Sequence, residues 1–369
     1  MKLCLYILSG LLCLPASGED LLERLSSPPP AFRGDFGDFE SPLTFKDGRI
    51  VTSKEEWPAR RSEILAEWTE RLGEWPDVIT DPEVTILTTT RRDGFTQHRI
   101  SFLWTPNEKT TGYLLIPDQP AAQPFPAVVT VYYEPETAIG LGKENRDFAY
   151  QLTKRGFVTL SIGTSEATAA KTYSLFWPSI EDARVQPLSM LGYAAANALE
   201  VLASRPEVDP ERIGIVGHSF GGKWALFASC LYEKFACAAW SDPGIVFGTR
   251  PSVNYWEPYY LGYEPPPWRK RGVPTAENPI SGLYPELLEA GRDLHELHAL
   301  MAPRPFLVSG GSEDPPAQWR ALNHSLKINQ LLGFDDRVAM HNRPAHGPTV
   351  ESNEVIYRFF EHWLKPARP

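Results

Sequence analysis

Cysteine is scarce, with four in 369 residues. Cys4 and Cys13 fall in the first apolar run, so Cys230 and Cys237 are the two that matter for the folded chain. In an oxidising compartment they either pair or remain as two buried thiols, and more than one disulfide is excluded. No Cys, His and Asp spacing resembles a zinc site, so neither a metal nor any other cofactor is expected. Basic excess is missing too. Thirty-six Lys and Arg stand against 46 Asp and Glu, a net charge of −10. No basic patch is evident, which argues against nucleic acid as a partner. Beyond the first 14 residues no apolar run approaches the roughly 18 residues that span a bilayer. The mature chain is therefore expected to be soluble, with no membrane partner. Internal repeats and low-complexity tracts are also absent. What is present is a composition 42% hydrophobic and 22% charged, enough for a large core and too apolar for disorder. Thirty-five Pro and 11 Trp point to a loop-rich surface and an aromatic-lined cleft.

The N-terminus reads as a targeting segment. Lys2 supplies the positive start, Leu3 to Leu14 the apolar stretch, and Ala16-Ser17-Gly18 the small residues for cleavage before Glu19. Residues 1–18 are thus expected to be a signal peptide and the protein to be secreted or periplasmic. Residues 19–52 read as an irregular leader and 53–369 as one domain. Ser53 and Glu56 form a capping-box pattern that opens a helix through about Leu72, stopped by Gly73. Alternating runs at Val84–Thr90, Ile100–Trp104 and Gly112–Ile116 then predict half-buried strands. From residue 125 continuous apolar runs alternate with helical stretches: Ala127–Tyr132, Phe157–Ile162, Ile213–Val216, Phe235–Trp240, Phe306–Ser309 and Val338–Met340. Such runs are strands of a largely parallel sheet covered on both faces. Residues 164–187 form a long loop, and residues 243–300, rich in Tyr, Trp and Pro, interrupt the alternation. That interval is too long for a structureless connection. It reads either as a lid or substrate-binding insertion, or as packing over the sheet edge.

The chemistry is expected at Gly217-His218-Ser219-Phe220-Gly221. This G-x-S-x-G follows a strand directly and precedes a helix, so its glycines allow a sharp turn that lifts the Ser219 hydroxyl above the sheet edge. The helix N-terminus beneath favours developing negative charge. In turns of this kind the acid and then the histidine follow the serine in the chain. Four histidines, His324, His341, His346 and His362, lie far enough along. His324 and His362 fall in predicted helices and His341 at a strand end. His346 lies in the loop Pro344–Pro348, where it can hang over the serine, and is the expected base. For the acid Asp314 leads, with Asp242 as the alternative and Glu313 also open. The oxyanion donors are expected to be the backbone N–H groups of Phe220 and Tyr133.

These residues resemble the α/β-hydrolase superfamily, and more narrowly the acetyl-xylan-esterase and dienelactone-hydrolase-like group. The resemblance is carried by Val208-Asp209-Pro210-Glu211-Arg212-Ile213-Gly214 running into Gly217–Gly222, and by Ala302-Pro303-Arg304-Pro305. It implies an α/β-hydrolase fold: a mostly parallel eight-stranded sheet with antiparallel N-terminal strands, helices on both faces and the aromatic-rich insertion. Two departures stand out. Tyr133-Glu134 replaces the His-Gly usual after the oxyanion strand, and Ser219 stands where dienelactone hydrolases carry cysteine. Ser219-Phe220-Gly221-Gly222-Lys223 is similar to the S-R-x-G-K element of glucuronoyl esterases, with Phe220 in place of the arginine and Lys223 matching the lysine that contacts sugar.

The expected function is an exported serine carboxyl-ester hydrolase of a carbohydrate-linked ester, a small molecule or a polysaccharide. Substrate contacts are expected from Lys223 and from Trp177, Trp256, Tyr259 and Trp268, with Tyr255 and Tyr260 nearby. Glucuronoyl ester cleavage is one alternative. A peptidase related to prolyl oligopeptidases is a second, disfavoured because only about 110 residues precede the parallel core, too few for a propeller-sized domain. A non-catalytic binding module on the same fold is the third.

Overall fold

The structure, a computed structural model, describes residues 18–120, 123–164, 175–248, 250, 253–262 and 269–365. Its strands in chain order are β1 (Thr85–Arg92), β2 (Phe95–Thr105), β3 (Glu108–Pro117), β4 (Phe125–Tyr132), β5 (Val158–Gly163), β6 (Val208–His218), β7 (Cys237–Ser241), β8 (Phe306–Gly310) and β9 (Val338–Asn342). They form one sheet in the order β1-β2-β3-β5-β4-β6-β7-β8-β9. The first three pair antiparallel and β4 to β9 run parallel. The described residues therefore hold nine strands rather than eight. All three N-terminal strands enter the main sheet because β3 pairs antiparallel with β5.

The continuous apolar runs are explained by burial on both sides. On β4, Val129 joins the cluster shared with the helices Trp57–Leu72, Pro187–Ala203 and Phe220–Leu231. Val128 next to it joins the opposite cluster with the helices Phe148–Lys154 and Val350–Leu364. Each such fully buried side chain contributes about 1.5–3 kcal/mol of transfer free energy. The helix expected from Ser53 begins at Trp57. Glu56 supplies the back-reaching half of the cap, its carboxylate accepting the N–H groups of Thr52 and Ser53 at 2.8 and 3.3 Å. Gly73 ends the helix with φ 85°, and a Cβ there would lie 2.0 Å from the Arg184 carbonyl oxygen.

The expected leader starts with a helix, Gly18–Leu25, whose Leu22 packs with the C-terminal helix. Residues 1–17, most of the expected signal segment, lie outside the described residues. Among the described residues the insertion holds three short helices, Pro258–Leu261, Leu283–Glu289 and His295–Ala299. Cys230 and Cys237 are free buried thiols, and burial pushes the Cys230 thiol up to about 12. Among the described residues no helix is long and apolar enough to cross a membrane.

Candidate active site

The strand–turn–helix at residues 217–221 is built by close backbone approach. A Cβ on Gly217 would lie 2.1 Å from the Gly221 oxygen, and one on Gly221 would lie 2.1 Å from the oxygen of Val131 on β4. Only glycine at these two positions lets the helix start against the ends of β6 and β4. Between them Ser219 takes φ 56°, ψ −114°, a conformation that costs an L-residue about 1–3 kcal/mol. Its N–H donates to the carbonyl of Ser241 at the end of β7, 2.8 Å away, which fastens the turn to the neighbouring strand. The half-buried Ser219 side chain faces out of the sheet edge toward His346: Oγ lies 2.8 Å from Nε2.

His346 occupies the loop between β9 and the last helix. Its Nδ1 lies 2.8 Å from Asp242 Oδ2. With Nδ1–H donating to the carboxylate, Nε2 is left as acceptor for the Ser219 hydroxyl, a continuous Ser–His–Asp relay. The carboxylate at its end belongs to Asp242, one residue past β7, and not to Asp314, the leading expectation. Asp242 is fully buried and stands at φ 51°, which turns its side chain toward the histidine loop. Its Oδ1 accepts the N–H groups of Gly311, Glu313 and Asp314 at 2.6, 3.2 and 2.9 Å. Asp314 thus contributes a backbone donor to the acid, while its own carboxylate accepts from Gly244 N–H (2.9 Å) and Ile245 N–H (2.6 Å). The loops after β7 and β8 cap each other's aspartate. Burial, with Asp242 nearby, pushes the Asp314 carboxyl up to about 7. Glu313 is buried and accepts from the Ser312 hydroxyl at 2.9 Å.

The remaining histidines have other partners. His341 Nε2 lies 2.7 Å from Ser309 Oγ, and burial lowers its pKa to about 4. His324 Nε2 donates to the Phe36 carbonyl at 3.1 Å, and His362 is exposed. His218 stands 4.8 Å from the His346 ring, centroid to centroid. Its Nδ1–H donates to the Ser241 carbonyl at 3.1 Å, and burial drives its pKa well below the ordinary value, so it stays neutral beside the relay.

Phe220 is the first residue of its helix, where backbone N–H groups lack intrahelical partners. Tyr133 follows β4 directly, and its ring stacks on Phe220 at 4.5 Å. The parallel pairing Val131↔Gly217 brings the two segments side by side.

The expected substrate contacts fare differently. Lys223 is buried, donates to the Pro243 carbonyl and lies 4.7 Å over the Tyr255 ring. Burial lowers its pKa to about 8. Trp256, Tyr259, Tyr255 and Tyr260 are at most 2% exposed; they are core, not open stacking platforms, because the insertion folds its aromatic side inward. Trp177 is half-buried, bridging to Val185 in the loop before the long buried helix. Trp268 lies outside the described residues. Sequence reasoning missed Ser241, which anchors both Ser219 and His218, and Gly311, where a Cβ would sit 2.5 Å from Asp242 Oδ2. It also missed the buried Arg343, which donates to the His346 carbonyl. The glycine of a loop and an arginine three residues before the histidine carry no spacing signal.

Comparison with known proteins fits this geometry. Residues 110–241 match the dienelactone hydrolase family model. A 4-O-methyl-glucuronoyl methylesterase of Neurospora crassa is 26% identical over 210 residues, 55% of this chain and 48% of that protein. The chain spans about half the length or less of the curated relatives it matches. A glucuronoyl esterase from Solibacter usitatus superposes with a TM-score of 0.66 at 18% identity, covering 88% of this chain and 97% of that one. A Bacteroides fragilis protein assigned as an acetyl xylan esterase gives 0.56 at 18% identity, over 95% and 92% of the two chains. With its parallel sheet and glycine-flanked serine turn, the chain has an α/β-hydrolase fold, and its residues 110–241 are similar to the dienelactone hydrolase family.

Proposed function

We propose that this protein is a serine carboxyl-ester hydrolase acting on a carbohydrate-linked ester. The observation that carries the reading is the relay itself: Ser219 Oγ, His346 and the buried Asp242 linked by two contacts of 2.8 Å above the strand ends. Ser219 Oγ attacks the ester carbonyl as His346 Nε2 takes its proton, and Asp242 holds the ring and stabilises the imidazolium. The tetrahedral oxyanion receives the N–H groups of Phe220 and Tyr133, the loss of either costing about 3 kcal/mol. Collapse expels the alcohol, which takes the proton from His346. Water then attacks the acyl-enzyme with His346 again as base, and the carboxylic acid leaves. The N-terminal targeting pattern supports an activity outside the cytoplasm.

Two ester classes put the sugar on opposite sides of the scissile bond. In an acetylated xylan the sugar is the alcohol; in a glucuronoyl ester it is the acyl group carried on Ser219. The names of the sequence relatives and of the Solibacter usitatus neighbour favour the glucuronoyl side. Initial rates on p-nitrophenyl acetate, acetylated xylan and a methyl glucuronate ester test this, with Ser219→Ala alongside. The expected outcome is cleavage led by the glucuronate ester and a loss of at least ~10³-fold in the variant. Absence of any ester cleavage by the native protein sinks the reading.

A further inference from the structure

We infer that Arg343 is a positioning residue that sets both the place and the proton affinity of His346. For its rate effect, this rests on the ester-hydrolase reading; its effect on the imidazole does not.

The guanidinium is nearly sealed from water, 4% exposed, and its donors go mainly to backbone oxygens. One terminal nitrogen donates to the His346 carbonyl at 2.6 Å, and Nε donates to the Gly347 carbonyl at 2.9 Å. The other terminal nitrogen donates to the Ser309 carbonyl at 2.7 Å and to Ser309 Oγ at 3.1 Å. One rigid fork therefore ties the loop that carries His346 to the end of β8. Arginine can only donate. Ser309 Oγ, accepting from it, also lies 2.7 Å from His341 Nε2, so the same cluster reaches β9. Nothing in this chain of bonds requires a positive charge to be buried, which is costly unless the charge is compensated.

The compensation is Asp242. The nitrogen bonded to the His346 carbonyl lies 4.0 Å from Oδ2, the same oxygen that accepts Nδ1–H of His346. The carboxylate is thus shared between a permanent cation and an imidazole that becomes a cation during the reaction. Other groups bear on the pair: neutral His218 from β6, Arg146 from the segment after β4, and Asp314 from the loop after β8, which in turn is faced by Lys223. With Arg343 in place, part of the Asp242 charge is already countered by a permanent cation. Removing the cation leaves the carboxylate to the imidazolium alone, so His346 must protonate at higher pH.

The test compares Arg343→Met and Arg343→Lys in the full chain, with folding checked by near-UV circular dichroism. Two quantities are read: kcat and KM for p-nitrophenyl acetate across pH, and the His346 titration midpoint from ¹³C-histidine NMR, assigned with His346→Gln. Arg343→Met is expected to lower kcat about 100-fold, as a displaced catalytic group does, with KM changed less than about threefold. Its acid limb and its His346 midpoint should both move up by about half a pH unit or more. Arg343→Lys keeps the charge and loses the fork, so its midpoint should stay within ~0.2 of native while kcat falls about tenfold. Native midpoints and native kcat in both variants overturn the inference. So does identical behaviour of the two, which is what a mere strut would give. If Arg343→Met does not fold, Arg343→Lys decides alone, and a native kcat in it contradicts the inference. If the native protein cleaves no ester, the hydrolase reading fails while the NMR midpoints still decide the role of Arg343.

Discussion

Around Asp242, three backbone N–H groups and an imidazole converge on one buried carboxylate. A short way along the chain, Trp256, Tyr259 and Tyr260 pack into the main core within the insertion. Both regions crown the C-terminal edge of the same sheet, and both are buried. They differ in what fills them. The first is polar, with positive backbone φ at Ser219 and Asp242 and glycines where a Cβ would strike backbone. The second is aromatic and apolar, held by area rather than by directed bonds. A polar buried network demands particular residues at particular places, whereas an aromatic cluster demands only volume. The proposed chemistry therefore lies in the first region, and the second packs beneath it.

The comparison can be broken most forcefully at Gly221. A Cβ there meets the Val131 oxygen at 2.1 Å, so Gly221→Ala must push the serine turn off β4. Activity on p-nitrophenyl acetate should fall about 100-fold or more, the scale expected for a catalytic group displaced by 1 Å. Near-native activity would show that the turn tolerates what the geometry forbids.

Trp256→Ala sharpens the other side. As a core residue 1% exposed, its truncation should cost about 3–5 kcal/mol, read as a lowered urea midpoint with KM for a glucuronate ester little changed. A sugar-stacking platform would show the reverse, a raised KM with stability intact.

The smallest effect is a pH dependence carried by the insertion. Burial holds His295 near a pKa of about 4 and drives His298 well below the ordinary histidine value. The unfolded chain then binds more protons, so this stability is full above about pH 6.5 and is lost as pH falls toward 4, about 3 kcal/mol for His295. Asp293, two residues earlier, is pushed up to about 7 by burial. Its contribution has the opposite sign: present below about pH 4 and lost as pH rises through 7. Urea midpoints measured from pH 4 to 8 should be highest near pH 6, and His295→Gln should flatten the acid side. An acid slope unchanged in that variant contradicts the assignment.

The sequence made the parallel core legible because buried strands read as unbroken apolar runs, and the strand–turn–helix at Ser219 because the turn needs glycine on either side of it. His346 was recognisable by elimination, as the histidine in a loop beyond the last strand. The acid was not. Asp242 and Asp314 follow neighbouring parallel strands in register, Ser241 opposite Ser309, and backbone twist at Asp242 decides which carboxylate meets the histidine. Burial of Lys223 and of the insertion aromatics was equally hidden, since composition does not say which way an aromatic segment faces. Entry of all three N-terminal strands into the main sheet depended on the β3–β5 pairing, a contact between residues more than forty apart in sequence.

The central claim is that Asp242, and not Asp314, completes the relay. Comparing kcat/KM of Asp242→Asn and Asp314→Asn on p-nitrophenyl acetate at pH 7 tests it most directly. The account predicts a loss of about 10⁴-fold for Asp242→Asn, as when a triad acid is neutralised, and less than about tenfold for Asp314→Asn. The reverse order would contradict it.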